Sequence, residues 1–134
     1  MSELASGGLP FLSLQHICGV GIDIVEISRI REKITDNRAF LKRVFTDEEL
    51  KYSLGKKNQY QRLAVRFAAK EAVWKAVGLK GLALKDIGIV KAPGGQPGIV
   101  CRDARAAKLR FQISLTHSND YAAAIVIAMR AAEK

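Results

Sequence analysis

The stretch Tyr60 to Val77, YQRLAVRFAAKEAVWKAV, constrains this chain more than any other part of it. It is the longest helical pattern in the sequence, rich in alanine and free of glycine and proline until Gly78 stops it. On such a helix Ala64, Ala68, Glu71 and Lys75 fall along one stripe. Glu71 and Lys75 stand four apart with the acid first, which by itself describes a surface ion pair of a few tenths of a kcal/mol. The alanine track beside them argues for more, because small side chains let a second backbone or a ligand approach closely.

The segments around this helix alternate in type. Ile17 to Asp23 (ICGVGID) is short, apolar and glycine-spaced, and reads as a buried strand ending in an acid. Glu26 to Ile34 follows as a helix, with Ile27, Ile30 and Ile34 at helical spacing. Thr46-Asp47-Glu48-Glu49 is a capping box that opens another helix. Ile87 to Lys91 alternates like a strand, Pro93 to Gly98 is a turn by composition, and Ile99 to Cys101 returns as the partner strand. Asp103 to Lys108 suits one or two helical turns. Phe111, Ile113 and Leu115 alternate with polar residues in a half-buried strand, and Ala122 to Met129 is a continuously apolar, more deeply buried one. Helices early and strands late predict an α+β domain, a mostly antiparallel sheet with the long helix packed on it. With no internal repeat or linker, one domain over residues 17–134 is the economical reading, preceded by an extension over residues 1–16.

The chain of 134 residues is long enough to bury a core without disulfides or structural metal. Its 49% apolar and 26% charged residues describe a globular protein rather than a disordered one. Cys18 and Cys101 suggest neither a disulfide framework nor a zinc site, and read as reduced thiols of a cytoplasmic protein. No export signal or membrane-length apolar run is visible. Charge is more informative: 22 Lys and Arg against 13 Asp and Glu give +9, a field that attracts anionic partners. Lys51, Lys56, Lys57, Arg62 and Arg66 form a basic run without an acid, and a second basic stretch holds Arg29, Arg31, Lys33, Arg38, Lys42 and Arg43. The bland account of either is a solvated helix face. A small basic nucleic-acid-binding domain would share the charge, but zinc-finger spacing, a stacking motif and a recognition helix are all missing.

Three groupings carry chemistry. Asp23 closes the first strand, a rigid place from which to offer a carboxylate to a cation, although an acid there also serves as a helix N-cap. The glycines before it are too few for a dinucleotide fingerprint, which needs a third in register. Glu71 and Lys75 form the second grouping. The third is Ser114-Leu115-Thr116-His117-Ser118, at the end of a strand. With only His16 elsewhere a multi-histidine metal site is improbable, and no serine-hydrolase elbow or cysteine nucleophile with a partner is present.

GIDIVE followed by Arg29, the helix RFAAKEAVWKA, a GQP turn and SLTHS, in this order and spacing, resemble holo-acyl-carrier-protein synthase, the short bacterial branch of the 4′-phosphopantetheinyl transferases. The resemblance runs from about Val20 to Met129. It implies the 4′-phosphopantetheinyl transferase fold and transfer of the phosphopantetheine arm of coenzyme A to a serine of apo acyl carrier protein, releasing 3′,5′-ADP, in fatty acid biosynthesis. It also implies Mg²⁺ held by Asp23 and Glu71, and Lys75 facing the coenzyme A phosphates as a charge stabiliser or acid. Glu71, directly or through a metal-bound water, is the family's usual candidate for general base. By the same resemblance Gly78, Pro97, His117 and Ser118 match the coenzyme A cleft, and Arg29 and Arg43 match positions facing the acidic carrier. A homotrimer with coenzyme A sites between subunits is implied, with no nucleic acid or membrane as partner. Both candidate metal acids are present, which weakens the alternative of a carrier-binding protein that has lost catalysis. The chain departs from the family at Gly78-Leu79-Lys80-Gly81, where Gly-Thr-Gly is common, and at Trp74, where the family has something smaller.

Overall fold

A computed structural model describes residues 15–131. Strand β1 (Gln15–Glu26) leads into helix α1 (Ile27–Asp36), followed by α2 (Ala39–Val44), α3 (Asp47–Ser53) and the long α4 (Gln59–Val77). A 3₁₀ turn at Leu84–Asp86 precedes the hairpin β2 (Ile87–Lys91) and β3 (Pro97–Cys101). A second 3₁₀ turn at Ala104–Ala106 precedes β4 (Leu109–His117) and β5 (Tyr121–Ala131). Strands β1, β5 and β4 form an antiparallel sheet in that order, and β2–β3 form a separate antiparallel pair. The expected α+β architecture is the observed one. The extension expected over residues 1–16 lies outside the described residues except for Gln15 and His16, which belong to β1.

Helix α4 packs across the sheet through an interface of small residues. Ala64, Ala68, Ala69 and Ala72 are fully buried and Ala76 nearly so, facing a sheet that contributes Ala122, Ala124, Val126 and Ala128 from β5. Gly19 and Gly21 of β1 meet the backbone of Ala76 and Ala72 so closely that a Cβ on either would lie within 2 Å of a helix carbonyl oxygen. Only glycine permits that approach. Gly78 then ends the helix in the left-handed conformation, φ 62°, its N–H donating to Trp74 O.

The first strand differs from its expectation in two ways. It runs past Asp23 to Glu26, and it is buried on one side only. Gly19, Gly21, Asp23 and Val25 face the helix, whereas Val20, Ile22 and Ile24 stand on the outer face, the last two about two-thirds exposed. A glycine-spaced strand alternates like any other, and the spacing serves the helix contact rather than two-sided burial. Ile125 of β5, the register partner of Ile22, adds to the exposed apolar face.

The capping box forms as expected: Glu49 N donates to Thr46 Oγ1 and Thr46 N to Glu49 Oε1. Glu49 does more than cap, since it is itself buried. Its Oε2 accepts from Ile89 N at 2.7 Å and its Oε1 lies 2.6 Å from Lys70 Nζ, on a lysine with no exposed surface. Burial pushes the Lys70 ammonium down in pKa, against the opposing pull of Glu49.

Candidate active site

Asp23 is carried on the helix-facing side of β1, three residues before the strand ends. It caps no helix: the residue before α1 is Glu26, whose side chain makes no cap bond. Its Oδ1 lies 3.3 Å from Lys75 Nζ, which also donates to Ile22 O at 3.0 Å. Its Oδ2 is buried and has no hydrogen-bond partner. Lys75 therefore reaches across to the strand, 52 residues away in sequence, instead of back along its own helix to Glu71.

Glu71 occupies the neighbouring turn of α4, half-buried. Burial first, and then the negative charge of Asp23, hold its carboxyl above the ordinary range, against the pull of Lys75 and Lys33. The stripe read from sequence thus passes from core to rim, with Ala64 and Ala68 sealed, Glu71 partly open and Lys75 exposed. Two carboxylates that repel each other, one with an unpartnered buried oxygen, are suited to a hard divalent cation. Mg²⁺ takes one or two protein carboxylates and completes its shell with phosphate and water. Among the described residues no group of three or more His, Cys, Asp or Glu converges.

The other candidates are spread over several elements. His117 ends β4 exposed, and the Gln61 amide nitrogen lies 2.8 Å from its ring nitrogens. Gln61 is ten residues before Glu71, roughly 15 Å along a helix axis. Ser118 closes the β4–β5 turn, its Oγ accepting from Tyr121 N and its N–H donating to Tyr121 O. Pro97 begins β3 on the separate hairpin, and Gly78 caps α4. Arg29 lines a cavity of about 360 Å³ with Ile24, Glu26, Lys33, Phe67 and Tyr121. Arg43 is exposed in the last turn of α2.

The basic run Lys51–Arg66 is not a uniform solvated face. The guanidinium carbons of Arg62 and Arg66 lie 4.5 and 4.1 Å from the centre of the Tyr52 ring, and Lys91 Nζ lies 5.0 Å from it. Partial burial would raise the Tyr52 phenol, but the Lys91 hydrogen bond and the surrounding cations bring it below its usual value. Sequence reasoning also missed Gln61 and Lys33, neither of which carries a local signal for its long-range neighbour.

Residues 19–126 match the model of the 4′-phosphopantetheinyl transferase superfamily, most of the chain. The chain belongs to this family. It is 45% identical over 117 residues to a holo-acyl-carrier-protein synthase of Chlamydia trachomatis, covering 82% of this chain and 98% of the relative. It is 40% identical over 119 residues to the synthase of a Geobacillus species, with coverage of 85% and 98%. A solved holo-acyl-carrier-protein synthase from Bacillus anthracis, in complex with CoA (3′,5′-ADP), superposes with a TM-score of 0.74 at 34% identity, covering 86% of this chain and 98% of that one. The sheet, the long helix and their order are those of the family's fold. Among the described residues no helix is long and apolar enough to cross a membrane.

Proposed function

We propose that this chain is a holo-acyl-carrier-protein synthase, transferring the 4′-phosphopantetheine group of coenzyme A to a serine of apo acyl carrier protein and releasing 3′,5′-ADP, in fatty acid biosynthesis. The observation that carries the reading is the meeting of Asp23, Glu71 and Lys75 at one place, in a chain similar over most of its length to such synthases.

Asp23 and Glu71 would hold Mg²⁺, which when bound supplies positive charge to the pyrophosphate of coenzyme A. The chain's own residues do the rest. Lys75, half exposed, is free to leave Asp23 for a phosphate oxygen, where its ammonium stabilises charge on the departing 3′,5′-ADP or donates a proton to it. Glu71 is assigned to accept the proton of the attacking serine. Gly78, Pro97, His117 and Ser118 are assigned to the coenzyme A cleft. Their spread over the end of α4, the start of β3 and the β4–β5 turn favours a cleft completed by a second copy, and the exposed Ile22, Ile24 and Ile125 offer an apolar face for it. A homotrimer is the assembly we assign. Arg29 and Arg43 form the carrier-facing surface, with the net charge of +9 steering an acidic partner towards it. Residues 17–134 constitute the single catalytic domain, working in the cytoplasm.

Incubation with coenzyme A, Mg²⁺ and apo carrier protein, followed by intact mass, tests this. The carrier should gain one phosphopantetheine group, and only when the metal is present. A carrier of unchanged mass under saturating conditions refutes the activity, and full transfer in excess chelator refutes the metal requirement.

A further inference from the structure

We propose that the buried Lys70–Glu49 pair is a positioning device for the reaction, fixing the rotation and axial register of α4 so that Glu71 and Lys75 face Asp23. The inference rests on the assignment of those three residues to the site.

The α4–sheet interface supplies little register of its own. Side chains fix how a helix sits by interlocking as ridges in grooves. Here the helix offers Ala64, Ala68, Ala69, Ala72 and Ala76 mainly to glycines and alanines of the sheet, with Val126 and, at the edges, Val25, Phe111, Ile113 and Leu115 as the larger sheet side chains, so much of the apposed surface is close and shallow. Leu63 and Val73 are the larger fully buried side chains of this helix that interrupt the smoothness. A one-residue adjustment moves a helical side chain by about 1.5 Å along the axis and about 100° around it. Misplacement of about 1 Å can slow a positioned reaction on the order of 100-fold. A directional contact would add the register that small side chains supply weakly.

Lys70 is directional. Its ammonium meets Glu49 Oε1 at 2.6 Å, donates to Leu84 O at 3.2 Å and donates to Ile87 O. Glu49 in turn accepts from Thr46 N and Ile89 N. One node therefore ties α4 to the start of α3, to the 3₁₀ turn and to β2, on the residue directly before Glu71. Buried ion pairs contribute little net stability against apolar replacements of similar size, and their best-attested use is to specify register. Lys70 touches neither substrate nor metal in this assignment; it acts through Glu71 and Lys75.

The test replaces both charges, Lys70→Met with Glu49→Gln, leaving residue 49 an acceptor oxygen for a backbone N–H. A thermal melt of the double variant fixes an assay temperature at which it stays folded, and single replacements are avoided because each strands a buried charge without its partner. Rates are expressed per folded molecule, and a crystal structure of the same variant measures the distance from Lys75 Nζ to Asp23 Oδ1. The expected result is kcat lowered at least tenfold, a several-fold higher Mg²⁺ concentration for half-maximal rate, and Lys75 Nζ moved out of hydrogen-bonding reach of Asp23. Unchanged kcat overturns the proposal, and so does a lowered kcat with Lys75 still bonded to Asp23. Glu71→Ala, run in parallel, separates the two readings. If it keeps wild-type turnover, the site assignment has failed; if it is inactive while the paired variant is fully active, only the positioning role has.

Discussion

Adding one methyl group at Gly21 probes how the spacing between β1 and α4 governs chemistry. A Cβ there would lie 1.8 Å from Ala72 O, 2.8 Å from Ala72 C and 2.9 Å from Ala76 N, where ordinary contact begins at 3.4 Å. All three obstacles are backbone, so no side-chain rotation relieves them. Gly21→Ala must therefore part strand and helix by about 1.6 Å, since a packed interior has no slack to absorb it. Overpacking of this kind costs roughly 1–3 kcal/mol, which for a domain of this size lowers Tm by roughly 3–12 °C. The displacement acts two residues from Asp23 and one from Glu71, and parts the two carboxylates proposed to hold the metal. A separation above 1 Å should lower kcat on the order of 100-fold. The assay is transfer to apo carrier protein at a temperature well below the variant's Tm, beside a thermal melt and a Mg²⁺ titration. A variant that melts early but turns over normally per folded molecule would refute the link between spacing and catalysis. Wild-type behaviour in both would refute the close approach itself.

Asp23→Ala and Glu71→Ala should each remove most turnover while leaving the fold intact, because each takes one of two carboxylates from a hard cation; a Mg²⁺ titration with wild-type affinity in either would remove that residue from the site. Lys75→Ala should lower kcat more than it weakens metal dependence, whereas a mere surface pair predicts unchanged kcat and a stability loss of roughly 0.5 kcal/mol or less. Glu71, held above the ordinary carboxylate range, binds a proton more tightly folded than unfolded, so stability falls as pH rises from the ordinary range through the raised value. Glu71→Gln should accordingly raise Tm of the metal-free protein at neutral pH, a gain that disappears on acidification below the ordinary carboxylate range; a gain independent of pH would contradict the assignment. Arg29→Glu or Arg43→Glu should raise the KM for carrier protein and flatten its salt dependence without altering coenzyme A affinity, since exposed charges are screened beyond about 8 Å at physiological salt; salt titration of kcat/KM for wild type and variants decides it.

Local grammar made much of the fold legible. Gly78 stops α4 where its place in the sequence says it should, and Thr46 and Glu49 form their capping box. Helix α2 escapes notice for a related reason: it spans six residues, its N-cap Arg38 makes no side-chain cap bond, and its first turn has no acid. Lys70 reads in sequence as one more surface charge of a basic chain, and only the fold reveals that it is sealed against Glu49. The candidate site shows the same divide. Glu71 and Lys75 are visible as a helical pair, but Lys75 turns to Asp23, a partner whose distance along the chain no periodicity reaches. That Asp23 belongs with them follows from resemblance to a family, since a strand acid alone is as readily a helix cap.

Strand β1 gives adjacent residues to two different tasks: Asp23 points inward to Lys75, while Ile22 and Ile24 on either side point out. Because alternate side chains leave opposite faces, the outer surface can be rewritten without touching the inner one. Under the homotrimer proposed above, polar replacements of Ile22 and Ile24 together would give a dispersed subunit with its carboxylate geometry preserved. Such a subunit would let the contribution of neighbouring copies be measured separately from that of the acids proposed to hold the metal. A deletion or insertion within β1 offers no such separation: a one-residue slip would send Asp23 to the outer face and isoleucine against the helix backbone, ending both tasks in one step.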